Sequence, residues 1–261
     1  MPAKHMFTNI YAQRGSVLCL CLLLLQLFAC AKQPTPVDPV QADRLWQGFV
    51  QASAVRPAPF RDDMSLRFGS SGNTRRVTAL LWGNGDNTLR LDVRAGVGAT
   101  LAMVRQEGEH FLLYMPMEQK ALFHMGPTSP LLKIGVPLPL DLFRLEALLH
   151  GRYSAVFGDK YLSVRSDRLG TAFELSHGIG GTLVLSDNAL PLAWKNDQWT
   201  MSLDLDEQGL VRRVELLNTR GEKAIVLVKK RETPTSPFEK GQMGLALPDG
   251  TEVQALENLK N

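Results

Sequence analysis

The chain has 261 residues, of which 44% are hydrophobic and 21% are charged. Its formal net charge is +3, from 29 basic and 26 acidic residues. The first 29 residues hold Lys4 and Arg14 but no acid, so the remainder carries 27 basic and 26 acidic residues, a net charge of +1. The near-neutral charge of residues 30–261 gives no electrostatic support for nucleic-acid binding.

The N-terminus has the features of a secretory signal. Its two basic residues precede an apolar run, Val17 to Ala29, that only Gln26 interrupts. The run is shorter than the roughly 20 apolar residues that span a membrane. It ends in Leu27-Phe28-Ala29-Cys30, which matches a lipoprotein cleavage site. We predict a signal peptide over residues 1–29, whether translation starts at Met1 or Met6.

Cys30 is the predicted acylation site. The alternatives are an ordinary cleaved signal with an incidental cysteine and an uncleaved anchor. The other two cysteines, Cys19 and Cys21, lie in the removed segment, so the body has no disulfide. Residues 30–41 hold three prolines and predict a semi-rigid tether. Ala31, rather than Asp, favours the outer membrane by the sorting rule of enteric bacteria.

The rest, residues 42–261, is predicted to be one domain, mainly β, with one large curled antiparallel sheet and a few helices. Helices are predicted at residues 42–54 and 140–149, where apolar residues recur at helical spacing. Alternating or short apolar runs separated by turn residues predict the strands. These are 64–68, 77–82, 89–93, 100–105, 111–115, 121–124, 160–164, 172–175, 181–185, 198–205, 210–216, 223–229 and a final hairpin in 243–256 through Pro248-Asp249-Gly250.

Two of these strands are apolar on both faces. Residues 111–115 read Phe-Leu-Leu-Tyr-Met, and 224–228 are apolar throughout. An antiparallel sheet with one face in water alternates instead. Both faces must therefore be covered, by a helix, a second sheet or a ligand.

Motifs of catalysis and metal binding are missing from the sequence. It contains no nucleophile elbow, HExxH, P-loop or dinucleotide fingerprint. His110, His124, His150 and His177 have no partner at metal-ligand spacing. We therefore expect no enzyme activity, no cofactor and no metal. The short basic runs 75–76, 212–213 and 229–231 are typical of solvated strand ends, and contact with anionic lipid headgroups is the alternative.

Residues 132–140, Leu-Lys-Ile-Gly-Val-Pro-Leu-Pro-Leu, lead into an apolar helix that ends in Leu149-His150-Gly151. This segment resembles the Gly-x-Pro-x-Pro segment of LolB, in the LolA/LolB superfamily of outer-membrane lipoprotein-sorting proteins. Residues 89–101 resemble the strands around that family's protruding loop, with Val97 where the family has an exposed leucine. Related uncharacterised lipoproteins share the helix motif.

The resemblance implies an incomplete, half-open barrel closed by helices around an apolar cavity for acyl chains. The implied protein is monomeric, is anchored in the outer membrane facing the periplasm, and accepts lipoproteins or lipids from a LolA-like periplasmic carrier. The alternative is an envelope lipoprotein that uses the same fold as a scaffold with a filled core. The residues expected in the cavity wall or lid are Leu89, Leu91, Val93, Leu101, Met103, Leu112, Tyr114, Leu142, Leu145, Met201 and Leu203.

Overall fold

The structure is a computed structural model that describes residues 37–52, 59–70, 72–96, 98–126 and 129–258. The signal peptide, Cys30, most of the tether and Val97 lie outside the described residues, so the statements about them remain predictions. The described residues lie in one compact unit that begins at Val37.

Helix α1 spans Pro39–Ala52 and begins three residues before the predicted start. Asp38 accepts a hydrogen bond from the backbone N–H of Val40 at 3.0 Å, and Pro39 occupies the first helical position, where its missing N–H costs nothing. The buried side chains Ala42, Trp46 and Phe49 follow the helical repeat. They pack against one face of the sheet, which is called the inner face below, and the opposite face is called the outer face. The Trp46 and Phe173 rings are 5.0 Å apart there.

A single sheet contains the fourteen strands of the described residues, in the order β14-β6-β5-β4-β3-β2-β1-β13-β12-β11-β10-β9-β8-β7. Short connections make sequential neighbours antiparallel. The first meander comprises β1 Phe60–Ser70, β2 Asn73–Gly83, β3 Thr88–Arg94, β4 Thr100–Glu107, β5 His110–Met115 and β6 Lys120–Met125. The second comprises β7 Tyr161–Ser166, β8 Thr171–Leu175, β9 Thr182–Leu185, β10 Pro191–Lys195, β11 Trp199–Leu205, β12 Val211–Asn218 and β13 Lys223–Glu232, followed later by β14 Glu252–Ala255.

Pairing of β1 with β13 joins the two meanders into one surface. The sheet does not close into a barrel, because β7 and β14 end it on opposite sides. The predicted fold class, mainly β with one open sheet and a few helices, is confirmed. Strand β10 was not predicted from the sequence, because Pro191 interrupts a short apolar stretch.

Three short helices lie between the meanders: α2 Pro130–Lys133, α3 Leu142–Leu149 and α4 Tyr153–Phe157. Helix α3 is the predicted apolar helix, and it buries Leu142, Leu145 and Leu148 almost completely. The glycine-rich loop after His177 serves packing. A Cβ on Gly178, whose φ is +72°, would lie 2.5 Å from the Phe157 carbonyl carbon, so only glycine fits against α4.

The predicted C-terminal hairpin is wrong. Helix α5 (Lys240–Met243) is followed by an irregular stretch, residues 244–248, where the first strand was predicted, and β14 pairs with β6 in parallel, which makes the sheet mixed. Residues 248–251 do form a turn, in which the Thr251 N–H donates to the Pro248 carbonyl at 3.2 Å. The turn does not connect two paired strands. The chain before it lies next to β3 on the outer face of the sheet, and the chain after it runs along the free edge of β6.

The C-terminal segment, residues 238–251, is fixed to this outer face. Asn84 exchanges two hydrogen bonds with the Phe238 backbone, at 2.7 and 3.0 Å, and the Phe238 ring lies edge-on to Trp82 at 4.7 Å. Further along, the Arg90 guanidinium donates to the carbonyls of Gln242 and Gly244. The segment then passes β4 and β5 to reach the edge strand β6.

Candidate functional site

An apolar cavity of about 220 Å³ lies between the sheet and the segment that carries α2 and α3. Strands β1 to β5 and β13 form its floor and walls. All of its lining residues are apolar except two arginines. They are Leu66, Arg67, Phe68, Arg75, Val77, Leu91, Val93, Leu101, Ala102, Val104, Leu113, Leu131, Ile134, Val136, Leu138, Leu145, Ala224, Ile225 and Val226.

Residues 131–145 form the lid over this cavity and contribute Leu131, Ile134, Val136, Leu138 and Leu145. The lid is tied down by hydrogen bonds. The Ser129 hydroxyl lies 3.1 Å from each of the carbonyls of Leu138 and Leu140, and Gln106 of β4 accepts from the Leu142 N–H at 2.9 Å. Gly135, with φ at +80°, turns the chain between α2 and the two prolines.

The cavity opens at one end of the sheet. At the closed end, or base, of the cavity, Val104 of β4 and Leu145, the last residue of the lid, are almost completely buried. Val93 is half-buried, and Leu101 at the rim is 38% exposed. Val93 and Leu101 flank the connection from β3 to β4, which contains Val97. The gradient from buried base to exposed rim allows the end of a long apolar guest to enter while the remainder stays outside.

No family model matches this sequence. No curated protein matches it either. Its fold does match solved structures. A LolA superfamily protein from Nitrosomonas europaea aligns over 75% of this chain and 98% of its own, with 11% identity and a TM-score of 0.53. A DUF1329 family protein from Desulfovibrio piger aligns over 80% of this chain and 100% of its own, with 11% identity and a TM-score of 0.51.

The chain has a LolA-like fold. At 11% identity the likeness concerns the fold alone. It confirms, at that level, the resemblance drawn from the Gly-x-Pro-x-Pro segment. In this LolA-like fold that segment is the lid of the cavity.

The structure divides the predicted cavity residues into three groups. Leu91, Val93, Leu101 and Leu145 line the cavity. Leu89, Leu142, Met201 and Leu203 are buried in the core but do not line it. Met103, Leu112 and Tyr114 point to the outer face, because their neighbours Ala102, Val104 and Leu113 line the cavity and side chains alternate along a strand.

The prediction missed the residues of the lid between Leu131 and Leu138. The signal was present, because these apolar residues surround the Gly-x-Pro-x-Pro motif that suggested the family. Their place over the cavity follows from the path of the loop, which local pattern does not specify.

A buried charged cluster lies at the end of α3. Asp62 of β1 is fully buried, and its Oδ2 is 3.2 Å from His150 Nε2. His150 Nδ1 lies 3.1 Å from Glu146 Oε1, and the other oxygen of Glu146 pairs with Arg152. Burial lowers the pKa of His150, but hydrogen bonds to Asp62 and Glu146 and their charges outweigh it and raise the pKa to about 9. His150 is therefore protonated at neutral pH and cannot serve as a general base.

Metal and membrane features are also limited. The described residues contain no group of three or more His, Cys, Asp or Glu side chains that could hold a metal ion. Within the same residues, no helix has the length and apolar character needed to cross a membrane.

Proposed function

We propose that this protein is a membrane-anchored lipid-binding protein that holds an acyl chain in the cavity and passes lipids or lipoproteins to the outer membrane. The observation that carries the proposal is the apolar cavity, which is open at one end and covered by a hydrogen-bonded lid. Each methylene that enters such a cavity contributes roughly 0.8 kcal/mol. Binding therefore needs neither a cofactor nor a catalytic step, and we propose that the protein is not an enzyme.

Location and partners belong to the same proposal. Acylation at Cys30 anchors the chain on the periplasmic side of the outer membrane, and the proline-rich tether lets the folded part reach away from it. The donor is a periplasmic carrier with a LolA-like fold. The likeness to a LolA superfamily protein supports this arrangement.

The size of the cavity limits what it accepts in this conformation. Its volume of about 220 Å³ is below the roughly 300–1,000 Å³ of pockets that enclose a drug-sized molecule. It matches one chain segment rather than the several chains of a lipoprotein, so a lipoprotein requires the lid to move. The same small volume favours the second candidate function, a scaffold whose core is essentially filled.

Native mass spectrometry of the full chain, extracted from membranes in a mild detergent, tests the proposal. We expect about one co-purifying lipid per chain, and the chain mass also reports whether Cys30 is acylated. Ala102→Phe fills the cavity at its rim and should remove the lipid. Ala193→Phe is the matched control, because Ala193 is half-buried in β10, outside the cavity. A lipid-free native chain, or equal lipid in both variants, contradicts the proposal and favours the scaffold.

A further inference from the structure

The cavity opening and the start of strand β7 lie at the same end of the sheet. The opening lies where β3 ends and β4 begins. From β4 through β1 and β13 to β7, each strand runs antiparallel to the next, so the two ends of the sheet can be followed across it. The end with the cavity opening also holds the start of β7 at Tyr161. It is called the open end below.

Helix α1 begins at the open end and runs away from it. In the first half of the helix, Asp43 accepts a hydrogen bond from the Tyr161 hydroxyl. In its second half, a Cβ on Gly48 would lie 3.2 Å from the Cβ of Ala189. Ala189 lies in the connection from β9 to β10, at the opposite end of the sheet. The chain therefore enters the described fold, at Val37, at the open end.

The proposed acylation site is close to this entry point along the chain. Only residues 31–36 separate Cys30 from Val37. Seven residue steps span at most about 25 Å when the chain is fully extended. An acylated Cys30 would therefore keep Val37 within about 25 Å of the lipid, whatever conformation the tether takes.

Exposed large apolar side chains are concentrated at the same end. Single exposed apolar residues are common on any protein, so their distribution is the informative feature. Ten are exposed in the part of the chain that the structure describes. Met125 and Leu169 lie at the opposite end, Phe123 lies within β6, and Leu132 lies in the lid. The other six lie at the open end, and they are Val40, Leu101, Met117, Leu162, Leu217 and Val253.

Two of the six show what this arrangement offers. Met117, in the turn between β5 and β6, is 79% exposed and projects beyond the strands. Leu101 is exposed and also lines the cavity, so it connects the apolar interior with this surface. Apolar side chains grouped at one end of a molecule gain free energy by leaving water for lipid.

We infer that the open end rests on the membrane that holds the anchor, with these six side chains in contact with lipid. The inference rests on the proposed function, because it needs an acylated Cys30. It adds an orientation, in which the cavity opens onto the bilayer. A lipid then passes between the cavity and the membrane along Leu101 without crossing water.

Fluorescent labels at the two ends of the sheet test this orientation. Full chain, acylated at Cys30, is reconstituted on vesicles of dioleoyl phosphatidylcholine and dioleoyl phosphatidylglycerol. The other two cysteines lie in the predicted signal peptide, so one introduced cysteine is the only free thiol of the mature chain. Leu162→Cys and Met117→Cys place a polarity-sensitive label at the open end. Both labels should shift their emission to shorter wavelength and lose fluorescence when the phosphatidylcholine carries bromine on its acyl chains.

Leu169→Cys and Met125→Cys are the matched controls. Leu169 follows β7 and Met125 ends β6, so each control lies at the opposite end of the strand that its partner label flanks, and both side chains are exposed. Their labels should keep the emission seen in water and should not be quenched.

Quenching that is equal at the two ends, confined to the control positions, or missing at both overturns the inference. Chain that stays on the vesicles with unquenched labels at the open end leaves the anchor intact and makes that end available to a protein partner instead. If the chain does not float with vesicles and its mass shows no acyl group, the proposed anchoring fails together with the inference.

Discussion

His150 and Asp62 form a buried ion pair that joins the end of helix α3 to the first strand of the sheet, with Nε2 and Oδ2 3.2 Å apart. Helix α3 also carries Leu145, which lines the cavity. The pair therefore ties the helix that carries this lid residue to β1. We expect the charge state of the pair to determine how firmly the helix is held.

Stability should fall as the pH rises from about 6.5 to about 9. The pKa of His150 is 6.5 in an unfolded chain and about 9 in the folded protein, because Asp62 and Glu146 outweigh the effect of burial. A raised folded pKa stabilises the protein fully below 6.5, and this stabilisation is lost as the pH passes 9. The loss amounts to as much as about 3 kcal/mol.

Urea unfolding at pH 6 and pH 9.5 measures this loss. His150→Gln should remove most of the difference between the two pH values. A difference that is as large in His150→Gln as in the native chain would assign the pH dependence to other groups.

Asp62→Asn should destabilise the protein and lower the pKa of His150. The substitution leaves the imidazolium buried with one partner fewer, and breaking a buried ion pair from one side costs about 3–5 kcal/mol. The neighbouring Asp63→Asn is the control, because Asp63 is exposed on the other face of β1. Denaturant unfolding gives the stability, and NMR titration gives the pKa of His150. An unchanged pKa in Asp62→Asn would contradict the role given to this pair.

Asp141→Ala should weaken the start of α3. Asp141 accepts a hydrogen bond from the Arg144 N–H at 2.8 Å and so caps the helix. Loss of such a cap costs about 1 kcal/mol. Asp141→Ser keeps an oxygen at the cap and should retain most of the stability. Thermal unfolding of the two variants distinguishes them, and equal melting temperatures would exclude a capping role.

Asn84→Ala should loosen the C-terminal segment from the outer face of the sheet. Both hydrogen bonds between Asn84 and the Phe238 backbone are lost, at about 1 kcal/mol each. Hydrogen exchange of the Phe238 amide should speed up by roughly tenfold or more. Asn87→Ala, in the same turn but exposed, should leave that exchange rate unchanged. If the Phe238 amide exchanges equally slowly in both variants, the contact of the Phe238 ring with Trp82 is enough to hold the C-terminal segment on the sheet.

The sequence by itself determined most elements of the fold. Strand β3 is the clearest case, because Leu89, Leu91 and Val93 alternate with charged residues and only one assignment of faces buries the apolar side. Helix α3 was equally predictable from the sequence, because its leucines recur at helical spacing and prolines precede it. Both followed from local periodicity.

Only the tertiary structure decided which face of β4 and β5 meets the cavity. Leu112, Leu113 and Tyr114 are all apolar or aromatic, so alternation gives no preference. Leu113 faces the cavity, whereas Tyr114, only 6% exposed, lies on the side where the C-terminal segment crosses the sheet. That crossing brings together residues more than a hundred positions apart, such as Arg90 and Gly244. Local pattern fixes the spacing of side chains along a strand, but the direction of each face depends on what the distant chain covers.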